Sequence, residues 1–217
     1  MVQSAEDARA NLSRVAKVLE REQSHVVALQ EVDNNSVWNG RFNHGAYIAR
    51  EASYAHHFGG QHHVSEFLDY GTALISQLSM RSAETFAFDR PLARPGKGFV
   101  VSTVAWPGAD ELEVDLVSLH LDFLSSRKRS KELRELVTAL TARSRPRIVT
   151  GNFNAGMGAR ALAEVAAALD LHTWEPDTGH ITYRHSGGAS TGCWSRAVSS
   201  SRLTACWTTW SRITMPS

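Results

Sequence analysis

The chain has 217 residues, with 23 Lys and Arg against 22 Asp and Glu for a formal net charge of +1, and it is 42% hydrophobic. That length suits one domain with a sizeable core. The charge balance gives no bulk pull toward nucleic acid or an anionic membrane, and no apolar run approaches the ~20 residues of a membrane span.

The opening "MVQSAEDARANLSRVAKVLE" is polar and periodic, unlike a signal peptide, and the expected compartment is cytoplasmic. Within it Ala8, Leu12, Val15, Val18 and Leu19 recur at helical spacing, which predicts an amphipathic helix. "HVVALQEV" follows as a short valine-rich run, a buried strand. The segment "DNNSVWNGRFNHGAYIAREASYAHHFGGQHHV" is rich in Asn, Gly and His and reads as loops around a short helix. Its histidines, His56, His57, His62 and His63, are expected in a polar loop. "YGTALIS", "FVVSTVAWPG" and the alternating "LEVDLVSLHLDF" predict three more strands. "RKRSKELRELVTALTARS" predicts a helix with Leu133, Leu136, Val137 and Leu140 on its core face, its basic residues forming a solvated face. "RPRIVTGNF" is a further buried strand and "ARALAEVAAALDL" a further helix. Consecutive strands grouped between helices argue for packed sheets flanked by helices.

Three polar clusters stand at strand ends, where a rigid scaffold presents chemistry. In "LQEVD", Glu31 offers one carboxylate suited to a hard cation such as Mg²⁺, with a solvated strand end as the alternative. In "SLHLD", alternation sets Ser118, His120 and Asp122 on one face, where a histidine beside a carboxylate can act as acid, base or phosphate clamp. In "VTGNFNAG", Asn152 and Asn154 flank Phe153 so that alternation points both amides the same way, and paired amides can donate to a developing oxyanion or simply belong to a turn.

The order "VVALQEVD", "YGTALIS", "LVSLHLD" with a basic helix, "IVTGNFNA" and "TY" resembles the endonuclease/exonuclease/phosphatase superfamily, the deoxyribonuclease-I-like metal-dependent phosphoesterases. The resemblance spans about Ala8 to Arg184. It implies a four-layered α/β sandwich: two packed, mostly antiparallel sheets flanked by helices. It also implies a Mg²⁺- or Mn²⁺-dependent hydrolase of phosphodiester or phosphomonoester bonds acting as a monomer. The substrate would be a phosphoester, such as nucleic acid or a phospholipid headgroup. Carried over residue by residue, Glu31 becomes the metal ligand and His120 the contact to the scissile phosphate. Asn152 takes the base-orienting position, Asn154 stabilises the transition-state charge, and Tyr70 lines the substrate cleft.

The chain departs from that pattern in three places. The family opens with a strand bearing an active-site Asn, and this sequence starts at the following helix. Asn152 stands where the family has Asp. The closing strand and Ser-Asp-His motif of the family do not follow Ser186. Instead the end, "GASTGCWSRAVSSSRLTACWTTWSRITMPS", holds both cysteines, Cys193 and Cys206, together with Trp194, Trp207 and Trp210 and no periodicity. Shifted by one nucleotide, the codons of Gly188 to Arg196 permit Arg-Leu-Asp-Trp-Val-Leu-Val-Ser. Those of Trp210 to Pro216 permit Val-Ser-Asp-His-Tyr-Ala. The expectation is therefore a family domain over residues 1–187, incomplete at both ends, and an out-of-frame, disordered or poorly packed tail over 188–217. Impaired turnover follows from it, with a non-catalytic remnant that at most binds phosphate ligands as the alternative.

Overall fold

The computed structural model describes residues 4–89, 96–156, 159–172 and 191–195. Helix α1 (Ala5–Glu22) starts at Ser4, whose hydroxyl accepts the Asp7 amide, and buries Ala8, Val15, Ala16 and Leu19. Strand β1 (Val26–Asp33) follows, then α2 (His44–Glu51), capped by the Asn43 side chain. Two short strands come next, β2 (His56–Gly59) and β3 (His63–Val64), before β4 (Asp69–Ser76). Strands β5 (Met80–Ala87), β6 (Gly98–Trp106) and β7 (Ala109–His120) are consecutive. They lead to α3 (Ser126–Thr141), β8 (Arg147–Asn152), α4 (Arg160–Leu169) and β9 (Thr191–Ser195).

One sheet has the order β1-β4-β2, with β3 also paired to β4; the other runs β5-β6-β7-β8-β9. All pairings are antiparallel except β7 with β8, which α3 connects as a parallel crossover. Three clusters of buried side chains define the layers. Val15, Leu19 and Ile48 of α1 and α2 pack on Val27, Leu29, Ala73 and Ile75 of the first sheet. Leu133, Leu136, Leu140, Leu162 and Val165 of α3 and α4 pack on Phe99, Val117, Leu119 and Val149 of the second. Leu74, Val100, Val104, Val114 and Leu116 fill the space between the sheets. The molecule is thus the expected α/β sandwich, helices outside and two sheets within.

Strand alternation decides which residues enter the gap between the sheets. In β4, Ala73 and Ile75 face the helices and Leu74 faces the other sheet, so Thr72 and Tyr70 continue the Leu74 row toward one end of the gap. In β7, Val117 and Leu119 face α3 and α4, so Ser118 and His120 continue the inter-sheet row of Val114 and Leu116. In β8, Val149 faces the helices, placing Thr150 and Asn152 in the row that starts at Ile148. The same end of the gap therefore collects Tyr70, Thr72, Ser118, His120 and Asn152.

Several elements differ from the sequence reading. His56, His57 and His63 lie in β2 and β3 and pair with β4 instead of occupying a loop. Strand β5 was not anticipated, because its burial alternates poorly and it lies at a sheet edge. Val137 is only partly buried, and the buried face of α3 takes in Glu132 instead. Of the segment 188–217, Thr191–Ser195 pair with Asn152–Ile148 of β8. Its remainder, with Cys206, Trp207 and Trp210, lies outside the described residues, as does the "TY" pair at Thr182 and Tyr183.

Candidate active site

The site is built around an irregularity in β1. Val27 and Leu29 face the helices, but so does Val32, so the alternation slips by one residue between them. The pairing of β1 with β4 shows the cause, a register shift between Leu29 and Val32. Such a bulge re-aims a side chain out of the pleat. Here it releases Glu31, whose φ of 54° lies in the left-handed region that a non-glycine residue seldom adopts. Gln30, beside it, crosses the gap to donate to Ser118 Oγ at 3.1 Å, and Ser118 donates to Leu29 O at 3.1 Å. Two hydrogen bonds thus fasten the bulge to β7, two residues before His120.

Glu31 meets a cation. Lys97 Nζ stands 3.0 Å from Glu31 Oε1, and 3.1 and 3.3 Å from the two ring nitrogens of His120. His120 Nε2 is itself 3.9 Å from Glu31 Oε1. Lys97 and His120 are buried, at 6% and 2% exposure, whereas the Glu31 side chain is 68% exposed. The inner wall is therefore an ammonium and an imidazole, and the outer lip is a carboxylate. The ring of Tyr70 flanks the ammonium at 5.7 Å, and its hydroxyl donates to Gly96 O at 2.9 Å. His62 completes the floor, its Nε2 2.9 Å from Thr72 Oγ1 while its Nδ1 has no hydrogen-bond partner among the described residues. Gly98 makes room for that ring, since a Cβ there would lie 2.6 Å from Nδ1.

Burial and the Lys97 charge both disfavour protonation of the two imidazoles. His120 is pushed down to about 4 by desolvation and then by Lys97, with Glu31 offsetting part of the effect. His62 is pushed down to about 4 by desolvation and Lys97. Both rings are neutral near neutral pH. For Glu31, desolvation pulls the carboxyl up, but the Lys97 charge, the electrostatic interaction with the His120 ring and the hydrogen bond from Lys97 outweigh it and hold the group below its ordinary value.

The asparagines stand on the β8 side. Asn152 is the register partner of His120 on the adjacent parallel strand. Its Oδ1 accepts the Asn154 amide at 3.1 Å. Asn154, at φ 50°, leaves strand geometry and donates through Nδ2 to Leu121 O at 2.7 Å. The two amides therefore do not project alike, as simple alternation had implied. Gly151 is required because a Cβ there would collide with the Leu119 carbonyl. Asp122, placed beside His120 in the sequence reading, turns its carboxylate to the next helix. Oδ1 accepts the amides of Leu124 and Ser125 at 2.9 and 2.8 Å, and Oδ2 takes Lys128 Nζ at 3.1 Å.

A buried ammonium and a neutral histidine thus stand beside an exposed carboxylate at one end of the gap between the sheets. The model of the Endonuclease/Exonuclease/phosphatase family matches residues 2–214. The chain belongs to that family. A comparison with curated proteins finds no match. Among solved structures, a family member from Beutenbergia cavernae superposes with a TM-score of 0.69 at 17% identity, over 85% of this chain and 58% of that one. A family protein from Leptotrichia buccalis gives 0.65 at 18% identity, over 88% and 83%. A Staphylococcus aureus beta toxin variant with bound magnesium ions gives 0.66 at 13% identity, over 87% and 77%. At such identities the likeness shows the fold. The chain spans 58% of the length of the Beutenbergia protein.

Of the sequence-derived residues in this family member, Glu31, His120 and Tyr70 converge on Lys97, and Asn152 and Asn154 stand on the adjoining strand end. Sequence reasoning missed Lys97 and His62. The signal for Lys97 was "PGKGFV", a lysine held between glycines at the start of a buried strand. His62 was hidden in a histidine-rich run. Among the described residues no three His, Cys, Asp or Glu side chains cluster as a metal cage. The donor set instead fits Mg²⁺, which binds through one or two carboxylates and otherwise keeps water or takes substrate phosphate. Glu31 would be that carboxylate, since its exposed side chain leaves room for retained waters.

Proposed function

We propose that this chain is a phosphoesterase dependent on Mg²⁺ or Mn²⁺, acting on phosphodiester or phosphomonoester bonds and slowed by Asn152. The observation that carries the reading is the Glu31–Lys97–His120 cluster at the end of the inter-sheet gap, in a chain of this family. Glu31 would hold the cation, which when bound neutralises phosphate oxygens and favours attack by water. Lys97 and neutral His120 present donors to a phosphate oxygen from the buried side, in a setting where charge is weakly screened. Asn154 has a second Nδ2 hydrogen beyond the one given to Leu121, available to a developing negative charge. Tyr70 forms a wall of the cleft. Asn152 orients a water but accepts no proton from it, so general-base help, typically worth about 10²–10⁴-fold, is missing at this position.

We further propose that residues 1–187 carry this activity and that 188–217 add no catalytic group in the frame as written. One structural neighbour is a Streptomyces griseocarneus sphingomyelinase C, with a TM-score of 0.57 at 19% identity. A phospholipid headgroup therefore joins nucleic acid among the substrates to assay. The test is hydrolysis of bis(p-nitrophenyl) phosphate and p-nitrophenyl phosphate by wild type and His120→Ala, with Mg²⁺ present or chelated. Slow release that needs both Mg²⁺ and His120 supports the reading. Release indifferent to either refutes it.

A further inference from the structure

The ion pair at the centre of the site has a direction. Lys97 is buried at the start of β6, its carbonyl accepting the Phe88 amide at 2.9 Å, while its partner Glu31 is exposed. Among the described residues Glu31 is the one carboxylate paired with Lys97. Both Lys97 Nζ and His120 Nε2 address the same oxygen, Oε1, at 3.0 and 3.9 Å. A hard dication needs that carboxylate's oxygens for itself. A cation bound there would sit within a few ångströms of the ammonium, where like charges repel and the buried side screens them poorly.

We propose that Lys97 is a tethered competitor for divalent cations. Its ammonium neutralises Glu31 in the resting site and must swing away before a metal is held. This rests on the reading of Glu31 as the metal-holding residue and goes beyond it, because it assigns the metal affinity to a residue that binds no metal. The lysine stem, four carbons with free rotation, permits the swing without moving β6. An anionic phosphate arriving at the same site gives the displaced ammonium a new partner, so cation and phosphate favour each other's binding by linkage. In the resting state the competition keeps the site low in affinity for cations without substrate.

The experiment is Mn²⁺ binding by electron paramagnetic resonance and calorimetry, without substrate, on wild type, Lys97→Met, Lys97→Gln, Lys97→Arg and Glu31→Gln. Methionine fills the buried stem volume without charge, and glutamine serves as a second neutral variant should the first fold poorly by circular dichroism. The neutral variants are expected to bind Mn²⁺ about three- to tenfold more tightly than wild type, a size set by the solvent exposure of Glu31. Lys97→Arg, which keeps the charge, stays within about twofold of wild type on the same grounds. Unchanged or weaker affinity in both neutral variants, with binding still abolished in Glu31→Gln, overturns the competition and leaves the metal role of Glu31 standing. Binding that survives Glu31→Gln, or is missing from every variant, overturns the metal role itself and the competition with it.

Discussion

Asp122→Ala measures how firmly the site strand is held. The carboxylate ties the end of β7 to α3 through two amide hydrogen bonds and the Lys128 ion pair. Its own amide donates to Glu132 Oε2 at 2.8 Å, so Lys128 lies between two buried acids. Each amide bond to a carboxylate contributes about 1 kcal/mol in this part-buried turn. Loss of the Lys128 contact adds about 1 kcal/mol, since the lysine keeps Glu132 as partner. The expected destabilisation is roughly 3 kcal/mol. With a urea m-value of about 2–3 kcal/mol/M, the unfolding midpoint by circular dichroism falls by about 1 M or somewhat more. The pH dependence supplies a second reading. Desolvation pulls Asp122 up, but the Ser125 amide, Lys128 and the Leu124 amide hold it below its ordinary value. A depressed acid stabilises above its unfolded pKa and loses that contribution as pH falls through the folded one. The gap between wild type and variant therefore narrows below pH ~4, the ordinary aspartate value. A loss under about 1 kcal/mol, or a gap that persists at low pH, refutes this account of the turn.

Two further outcomes follow from the site. Asn152→Asp keeps the acceptor for the Asn154 amide and adds a carboxylate beside His120, so diester hydrolysis rises by about 10²–10⁴-fold; an unchanged rate shows that this position orients no water. His62 binds a proton far less readily folded than unfolded, so between about pH 6.5 and its folded value of about 4 the unfolded state carries the extra proton and stability falls with acid. The loss reaches ~3 kcal/mol from this group, and His62→Leu flattens the slope of unfolding free energy against pH in that window.

The sequence made most of the fold legible where periodicity had one physical cause. The runs in β1, β4, β6, β7 and β8 are buried between sheet and helix or between sheets, so their apolar residues crowd together. Strands β2 and β3 carry His and Gly because β4 supplies their hydrogen-bond partners, and no apolar pattern advertises them. For the candidate site, motif order singled out Glu31, His120, Asn152, Asn154 and Tyr70, and the sheets bring Glu31, His120 and Tyr70 around Lys97. Two things stayed hidden. The bulge that turns Glu31 outward is a property of pairing with β4, and no residue in "LQEVD" announces it. Lys97 reaches the site from a strand start 66 residues away from Glu31. Its burial follows from the approach of two sheets, which a single strand's pattern does not encode. Alternation also failed at "NFN", because Asn154 takes a left-handed backbone and leaves the strand.

The central claim is that Glu31 holds the divalent cation that makes this site a phosphoesterase. The most direct measurement is the Mg²⁺ dependence of bis(p-nitrophenyl) phosphate hydrolysis in wild type and Glu31→Gln, each checked for fold by circular dichroism. The account predicts slow wild-type hydrolysis that rises with Mg²⁺ and is lost with chelator, and a folded Glu31→Gln protein with no Mg²⁺-dependent rate. A Glu31→Gln protein that hydrolyses the diester with the same Mg²⁺ response as wild type contradicts it.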